Sequence, residues 1–298
     1  MYAGDDGFVE GTAPFLREGL ERDEAMLVVV AGRKIDALRS EIGPDSGRID
    51  FADMSEVGAN PARIIPAWRE FADANAGRAL RGIGEPIFPE RTADELIECQ
   101  RHESLLNIAF ADTPDFRLMC PYDVDAMGAD VIEEAERSHP HLVEQAGGER
   151  YSSAYRGADA IAEPFDAPLP EPPSDHESIA FGLGSLGPAR DLVAARAEEA
   201  GVRRTKAEDL VLAVNELLTN TVRHAGGVGT LAVWRSNGTL LCEVRDDGRI
   251  EDPLAGRKLS PAAEVGGHGL WIATQLCDLV QLRATDAGNV IRIHTHAG

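Results

Sequence analysis

The chain predicts an α/β protein of two domains. The first is an N-terminal three-layer domain around a parallel sheet. The second is a C-terminal two-layer α/β sandwich with helices on one face of its sheet. Three observations carry this. Before residue 157, short apolar runs alternate with segments of helical period, the pattern of a parallel sheet covered on both faces. After residue 178 the order is strand, two helices, two strands, a polar stretch, a helix and two more strands. Between them, prolines fall at 164, 168, 170, 172 and 173, a composition that reads as an extended, semi-rigid linker. The domains are therefore placed at 1–156 and 178–298, with the linker at 157–177.

In the front domain Phe15-Leu-Arg-Glu-Gly-Leu20 has helical spacing, residues 25–30 (AMLVVV) form a wholly apolar strand, and 34–42 is a helix. Further strands are expected at 49–51, 80–83 and 117–120, with helices near 61–76, 92–111 and 128–137. No Walker glycine-lysine loop occurs, so this half is not expected to take a nucleotide by that route. In the rear domain 179–183 is a short strand, and Pro188 suits the first turn of a helix running to about residue 200. A second helix spans 204–225, with Leu210, Val214, Leu217, Leu218 and Val222 along its apolar side. Strands follow at 229–235 and 239–245. Residues 249–265 hold Pro253, Pro261 and little periodicity, as expected of a lid over a ligand. A helix at 269–277 and strands at 279–285 and 290–296 complete the sheet.

At 298 residues and 43% hydrophobic content the chain can bury two ordinary cores. It has no run of eighteen apolar residues, and Met1-Tyr-Ala-Gly-Asp-Asp does not open like a signal peptide, so a cytoplasmic protein with no membrane partner is expected. The formal net charge is −22, and it is uneven: residues 175–298 hold 16 acidic and 13 basic side chains, residues 1–174 hold 35 and 16. Such a field disfavours phosphate backbones and anionic lipids, so direct nucleic-acid binding is not expected and any effect on transcription should pass through a protein. Cys99, Cys120, Cys242 and Cys277 show no CxxC spacing and are expected as reduced core residues. Cys99 and His102 share a helical turn but lack the second ligand pair of a structural metal site.

Three motifs carry chemistry. Glu216-Leu-Leu-Thr-Asn220 puts a carboxylate and an amide on one helical face, where Asn220 can give Mg²⁺ one oxygen beside substrate phosphates and Glu216 can accept a hydroxyl proton. Asp246-Asp-Gly248 ends an apolar strand, where Asp246 can accept a hydrogen bond from an exocyclic amine such as that of adenine. Gly266-Gly-His-Gly269-Leu270 lets backbone approach phosphate at the start of a helix. Each is weak alone: the first is usually a solvated face, the second a turn, and the third a flexible loop. Their joint order and separation point to a nucleotide pocket.

As a set these motifs resemble the N, G1 and G2 boxes of the GHKL ATPases, whose domain has the Bergerat fold, over roughly residues 178–296. The stretch 212–225 is most similar to the anti-sigma-factor serine kinases of bacterial partner-switching systems. That resemblance implies ATP and Mg²⁺ as cofactors, with Glu216 as general base and Asn220 on the metal. It also implies Asp246 and Gly248 at the adenine, and Gly266, Gly267, His268, Gly269 and Leu270 around the phosphates. It implies a homodimeric kinase that phosphorylates a serine or threonine of an antagonist of the STAS type and otherwise sequesters a sigma factor. The chain departs from the pattern at Asp246-Asp-Gly-Arg-Ile250, which lacks a second glycine. A second departure is Asn289, which stands where a threonine is common and can still donate to a phosphate or to adenine. A non-catalytic module that uses ATP to set its shape while holding its partner is the alternative.

The segments Pro14-Phe-Leu-Arg-Glu-Gly-Leu20, Asn60-Pro-Ala-Arg63, Gly84-Glu-Pro86, His102-Glu103 and Leu118-Met-Cys-Pro-Tyr122 resemble the MEDS sensory domain of methanogen, methylotroph and DcmR regulators. With the rear half, the chain looks like actinobacterial anti-sigma regulators carrying this sensor, often labelled sensor histidine kinases. That label brings a rival role for His102 as a phospho-acceptor, although Leu105, Leu106 and Ile108 fit a globular core. Arg81, Glu85, Arg101, His102, Glu103 and Asn107 are candidates for a small-ligand pocket at the sheet's carboxyl edge, or for a hydrogen-bonded structural network.

Overall fold

A computed structural model of the chain describes residues 1–113, 115–143, 148–157, 165–258, 268–285 and 287–297. It divides into two compact units, Met1–Ala162 and Glu163–Gly298, so the division falls inside the proline-rich stretch.

In the front unit, β1 (Ala25–Val30), β2 (Asp50–Asp53), β3 (Leu80–Gly84) and β4 (Phe116–Met119) form one sheet in the order β2-β1-β3-β4, all parallel. The connecting helices are α1 (Gly4–Glu21), α2 (Gly32–Ile42), α3 (Met54–Val57), α4 (Ile64–Ala74), α5 (Ala93–Ala109) and α6 (Ala129–Ser138). On one face Met26, Val28, Val30 and Ile83 pack against Phe8 and Leu16 of α1 and Ile35 and Leu38 of α2. On the other, the Trp68 ring of α4 lies so near that a Cβ added to Gly82 or Gly84 would fall 2.8 or 3.0 Å from it. Sheet and helices thus form three layers, because βαβ crossovers place helices on both faces. Local sequence sets the helix starts. Asp53 caps α3 by accepting from Ser55 N, and Thr92 and Glu95 close a capping box on α5. Two features differ from expectation. Helix α1 begins at Gly4, well before residue 15, and β5 (His141–Val143) pairs with β6 (Glu149–Tyr151) in a two-stranded sheet.

In the rear unit, β7 (Glu177–Gly182), β8 (Val228–Ser236), β9 (Thr239–Asp246), β10 (Leu279–Thr285) and β11 (Gly288–His296) form an antiparallel sheet, in the order β10-β11-β9-β8-β7. Helices α7 (Leu186–Glu199), α8 (Arg204–His224) and α9 (Gly269–Leu276) cover one face. There Val193, Leu210, Val214, Leu217, Leu218 and Ala273 meet Leu231, Val233, Cys242, Val244, Ile291 and Ile293. The apolar side of α8 is the one its spacing predicts.

The opposite face is polar and buried. Glu243 of β9 and Arg292 of β11 stand directly across the ladder and are joined at 2.5 Å. The described part of the proline-rich stretch crosses them: Arg292 donates to Pro170 O at 2.5 Å, Arg283 to Ala167 O at 3.2 Å, and Arg245 pairs with Glu171 at 2.9 Å. Phe165 and Leu169 of the same stretch are buried. Proline lacks an N–H and so breaks ladder pairing, which leaves the carbonyls of such a segment available to buried guanidiniums. Residues 165–171 therefore belong to the rear unit instead of spanning open space. No helix among the described residues is long and apolar enough to cross a membrane.

Candidate functional site

Helix α8 supplies the first two site residues, and neighbouring contacts hold the helix in place. Lys206 near its start pairs with Asp278 at 2.8 Å, and Asn215 accepts from Arg190 of α7 at 3.0 Å. Glu216 and Asn220 are half-buried on one face, a turn apart. Asn220 meets the start of α9: a Cβ added to Gly269 would fall 2.5 Å from Asn220 Nδ2 and 3.1 Å from its Oδ1. Glycine at 269 is therefore required by a close approach between a side chain and the backbone, not by a special backbone angle. The Asn220 amide stands against the first turn of a helix, where backbone N–H groups lack intrahelical partners.

Asp246 ends β9 and is fixed from three sides. Its Oδ2 accepts from Thr221 Oγ1 at 2.6 Å; its Oδ1 accepts from Gly248 N at 3.0 Å and from Asn289 Nδ2 at 2.8 Å. A carboxylate offers about four lone-pair positions, so this network leaves about one acceptor position, on Oδ2. Asn289 is buried, and its Oδ1 accepts from Ile250 N at 3.0 Å. Asn289 thus orients Asp246 and ties down the chain that leaves it. Gly248 has no room for a side chain, since a Cβ there would fall 2.6 Å from the Ala225 Cβ. Thr221 was not anticipated; it follows Asn220 directly, and its helical angle turns its hydroxyl to the sheet.

His268 is the N-cap residue of α9 and accepts from Ile272 N through its carbonyl at 2.8 Å. Leu270 packs on Gly256 of the chain after Asp246, and Thr274 of α9 donates to Gly256 O at 2.9 Å. The first part of the expected lid is therefore anchored on α9, while Gly266 and Gly267 lie outside the described residues. A depression of about 620 Å³ at the strand ends is bordered by Asp246, Gly288 and Asn289 but not by Glu216 or Asn220. Glu216 and Asn220 offer oxygen ligands that suit a hard cation, and Asp246 keeps one acceptor position for an N–H donor.

Of the six front-unit candidates, Arg81, Glu85, Asn107 and Glu103 take different partners. Arg81, fully buried, binds Glu24 at 2.5 Å and Glu18 at 2.9 Å on the α1 face. Glu85 is paired with Lys34 at 2.6 Å and with the Tyr2 hydroxyl. Burial pushes its carboxyl up even though Lys34 and Tyr2 act the other way. Asn107 donates to Ser138 O at 2.9 Å, and Arg101 is buried on α5. Glu103 meets His139 at 3.1 Å. Burial disfavours the charge on His139, but the hydrogen bond and charge of Glu103 outweigh it and hold the imidazole above its ordinary value. His102 is 1% exposed, which corrects its reading as a phospho-acceptor: a ring enclosed in the core offers no nitrogen to an incoming phosphoryl group. The cysteines are free, and burial pushes the Cys99 and Cys242 thiols up to about 12.

Residues 1–140 match the MEDS family, the MEthanogen/methylotroph, DcmR Sensory domain, and residues 179–295 match the histidine kinase-like ATPase domain. The chain thus joins a MEDS sensory domain to an ATPase domain of the kind that binds ATP, typically with Mg²⁺. None of the curated proteins matches it. Among solved structures it is similar to the RsbU and RsbW domains of a Mycobacterium tuberculosis protein, at 16% identity and a TM-score of 0.31, over 42% of this chain and 33% of that one. It is also similar to the Acinetobacter baumannii histidine kinase AdeS, at 10% identity and a TM-score of 0.25, over 41% of this chain and 68% of that one. The chain spans about a third of the length of the first of these.

Proposed function

We propose that the chain is an ATP-dependent protein kinase and anti-sigma regulator. In this reading the rear unit holds Mg-ATP and phosphorylates a serine or threonine of a STAS-type antagonist. It otherwise sequesters a sigma factor, and the front unit biases which of these it does. The observation that carries the proposal is the Asn220 amide set against Gly269, with Glu216 one turn back on the same face and Asp246 fixed by Thr221, Gly248 and Asn289. Mg-ATP supplies an activated phosphoryl group whose charge the metal offsets. Asn220 would give one oxygen to that metal, and Asp246 would accept from the adenine amine with its spare Oδ2 position. Glu216 would take the proton of the attacking hydroxyl as the new O–P bond forms and the bond to ADP breaks. The sigma factor, the antagonist and a homodimer rest on the family resemblance.

Incubating the full chain with labelled ATP and a candidate antagonist tests the reading. Transfer is expected from the wild type, and E216A should bind ATP but transfer about 10²–10⁴-fold more slowly. No transfer from the wild type, or equal transfer from E216A, rejects the assignment. One contact favours a second reading. Asn289 Oδ1 holds Ile250 N where the family has a second glycine, so the lid starts from a tethered residue. That suits a module in which ATP sets the shape of a sigma-binding surface without turnover. Tight ATP binding and sigma capture with no phosphoprotein would select it.

A further inference from the structure

Glu103, Cys120 and His139 bring a carboxylate, a thiol and an imidazole together in the front unit, with one ligand atom from each lying within 4.8 Å of the other two. They come from α5, from the residue after β4 and from the C-cap of α6, so three elements converge on one point. His139 Nδ1 is 2.8 Å from Ala135 O. A carbonyl accepts only, so Nδ1 carries a hydrogen, and this network assigns Nε2 as the lone-pair nitrogen of the neutral ring. That lone pair faces Glu103 Oε2 at 3.1 Å. Two acceptors meet there, and something positive must lie between them, either a proton or a metal ion.

A proton alone leaves the site incompletely satisfied. Glu103 is 2% exposed, and its Oε1 has no hydrogen-bond partner among the described residues. The Cys120 thiol gives the same carboxylate only a weak hydrogen bond. Such buried acceptors are rare in folded proteins and call for a specific cause.

We propose that Glu103, Cys120 and His139 bind one thiophilic divalent ion of the zinc class, with the fourth position open to water or to a small ligand. One sulfur, one nitrogen and one oxygen suit zinc and do not suit Mg²⁺ or Ca²⁺. Metal–ligand bonds of about 2.0–2.3 Å put the ligands of a tetrahedron about 3.3–3.8 Å apart, so closing the observed trio needs side-chain movement of about 1 Å. The charge also balances: a carboxylate and a thiolate offset the two charges of the ion and leave the buried site neutral. Ala135 O already orients the imidazole, as outer partners of metal-bound histidines commonly do. Binding releases the thiol proton, and any proton on the imidazole, to solvent, with no redox change. The inference concerns the front unit alone and stands whether or not the rear unit transfers phosphate.

Co²⁺ titration of the chelator-stripped full chain tests it, since cobalt reports a thiolate ligand by a near-ultraviolet charge-transfer band and tetrahedral geometry by its visible bands. One equivalent of Co²⁺ should give both, and Zn²⁺ should bleach them. C120S should lose the charge-transfer band and H139A should bind Zn²⁺ at least tenfold more weakly, while C242S behaves as wild type. Alkylation mapped by mass spectrometry gives a second measure on wild-type protein: Zn²⁺ should protect Cys120 selectively. Absence of the thiolate band in the wild type, its persistence in C120S, or unchanged alkylation of Cys120 with Zn²⁺ would overturn the proposal.

Discussion

Replacing Gly269 by alanine separates the metal-holding role proposed for Asn220 from the stability of the fold. The added Cβ would lie 2.5 Å from Asn220 Nδ2 and 3.1 Å from both Cγ and Oδ1. An approach under 3 Å is not tolerated, so the amide must rotate away from the start of α9. Gly269 is not among the glycines with positive φ, and the backbone itself accepts alanine. The change should add up to about 0.4–1 kcal/mol through the unfolded chain, offset in part by a rotamer cost of about 0.5–1.5 kcal/mol at Asn220. Net stability is expected to stay within about 1 kcal/mol of wild type. Binding should respond more strongly. A bond to a charged partner contributes about 1.5–3 kcal/mol, so losing the Asn220 contact should weaken Mg-ATP about 10- to 150-fold. Calorimetric titration of the full chain with ATP, with and without Mg²⁺, reads this directly. The loss should appear with Mg²⁺ and shrink in EDTA. Unchanged Mg-ATP affinity would refute the placement of Asn220, and an equal loss in EDTA would show that the clash acts on the nucleotide.

T221V removes the hydroxyl that donates to Asp246 Oδ2 at 2.6 Å and should weaken ATP about tenfold with or without Mg²⁺, by a loss of about 1.5 kcal/mol; the same titration checks it. R81A should cost about 3–5 kcal/mol by leaving buried Glu24 without its counter-ion. It should show as an earlier thermal transition, with ATP affinity kept below that temperature. Asp53, whose carboxylate is held below its ordinary value of 3.8 by the hydrogen bonds of Ser55, caps α3 more strongly when ionised. D53A should therefore cost about 1 kcal/mol at neutral pH, and the difference in urea midpoint should shrink as the pH falls below the ordinary aspartate range. A fragment starting at 178 should be about 3–6 kcal/mol less stable than one starting at 163, from lost burial of Phe165 and Leu169; equal urea midpoints would contradict their packing role.

The residues of the rear candidate site stand out in the sequence because they are local. Glu216 and Asn220 are a helical turn apart, and the spacing of Leu210, Val214 and Leu217 already says which side of α8 faces the sheet. The parts that sequence did not supply come through tertiary register. Asn289 lies opposite Asp246 only because β11 pairs with β9, and Thr221 reaches Asp246 only when α8 lies on that sheet. In the front unit the limit was different. Charged residues on α5 suggest a wet pocket, yet Glu98, Arg101, His102 and Glu103 are all buried. Burial along α5 depends on which other elements pack around it, and no spacing along α5 reveals that Glu103 will meet His139.

The proline-rich stretch shows how composition can describe a segment correctly and still misplace it. Prolines do keep the chain extended and out of the ladder, which is what a spacer needs. They also leave a row of acceptors without donors, which is what a buried cationic face needs. On β9 and β11, alternation assigns Glu243 and Arg292 to the side away from the helices, where a polar pair is ordinarily read as solvated. Glu243 is 1% exposed and Arg292 5%, and the guanidinium takes Pro170 O as a further partner at 2.5 Å. Leaving that charge pair buried with fewer acceptors would cost more than its mutual attraction returns, so the outer face and the segment crossing it require one another. The stretch that joins the two units is for this reason also part of one of them.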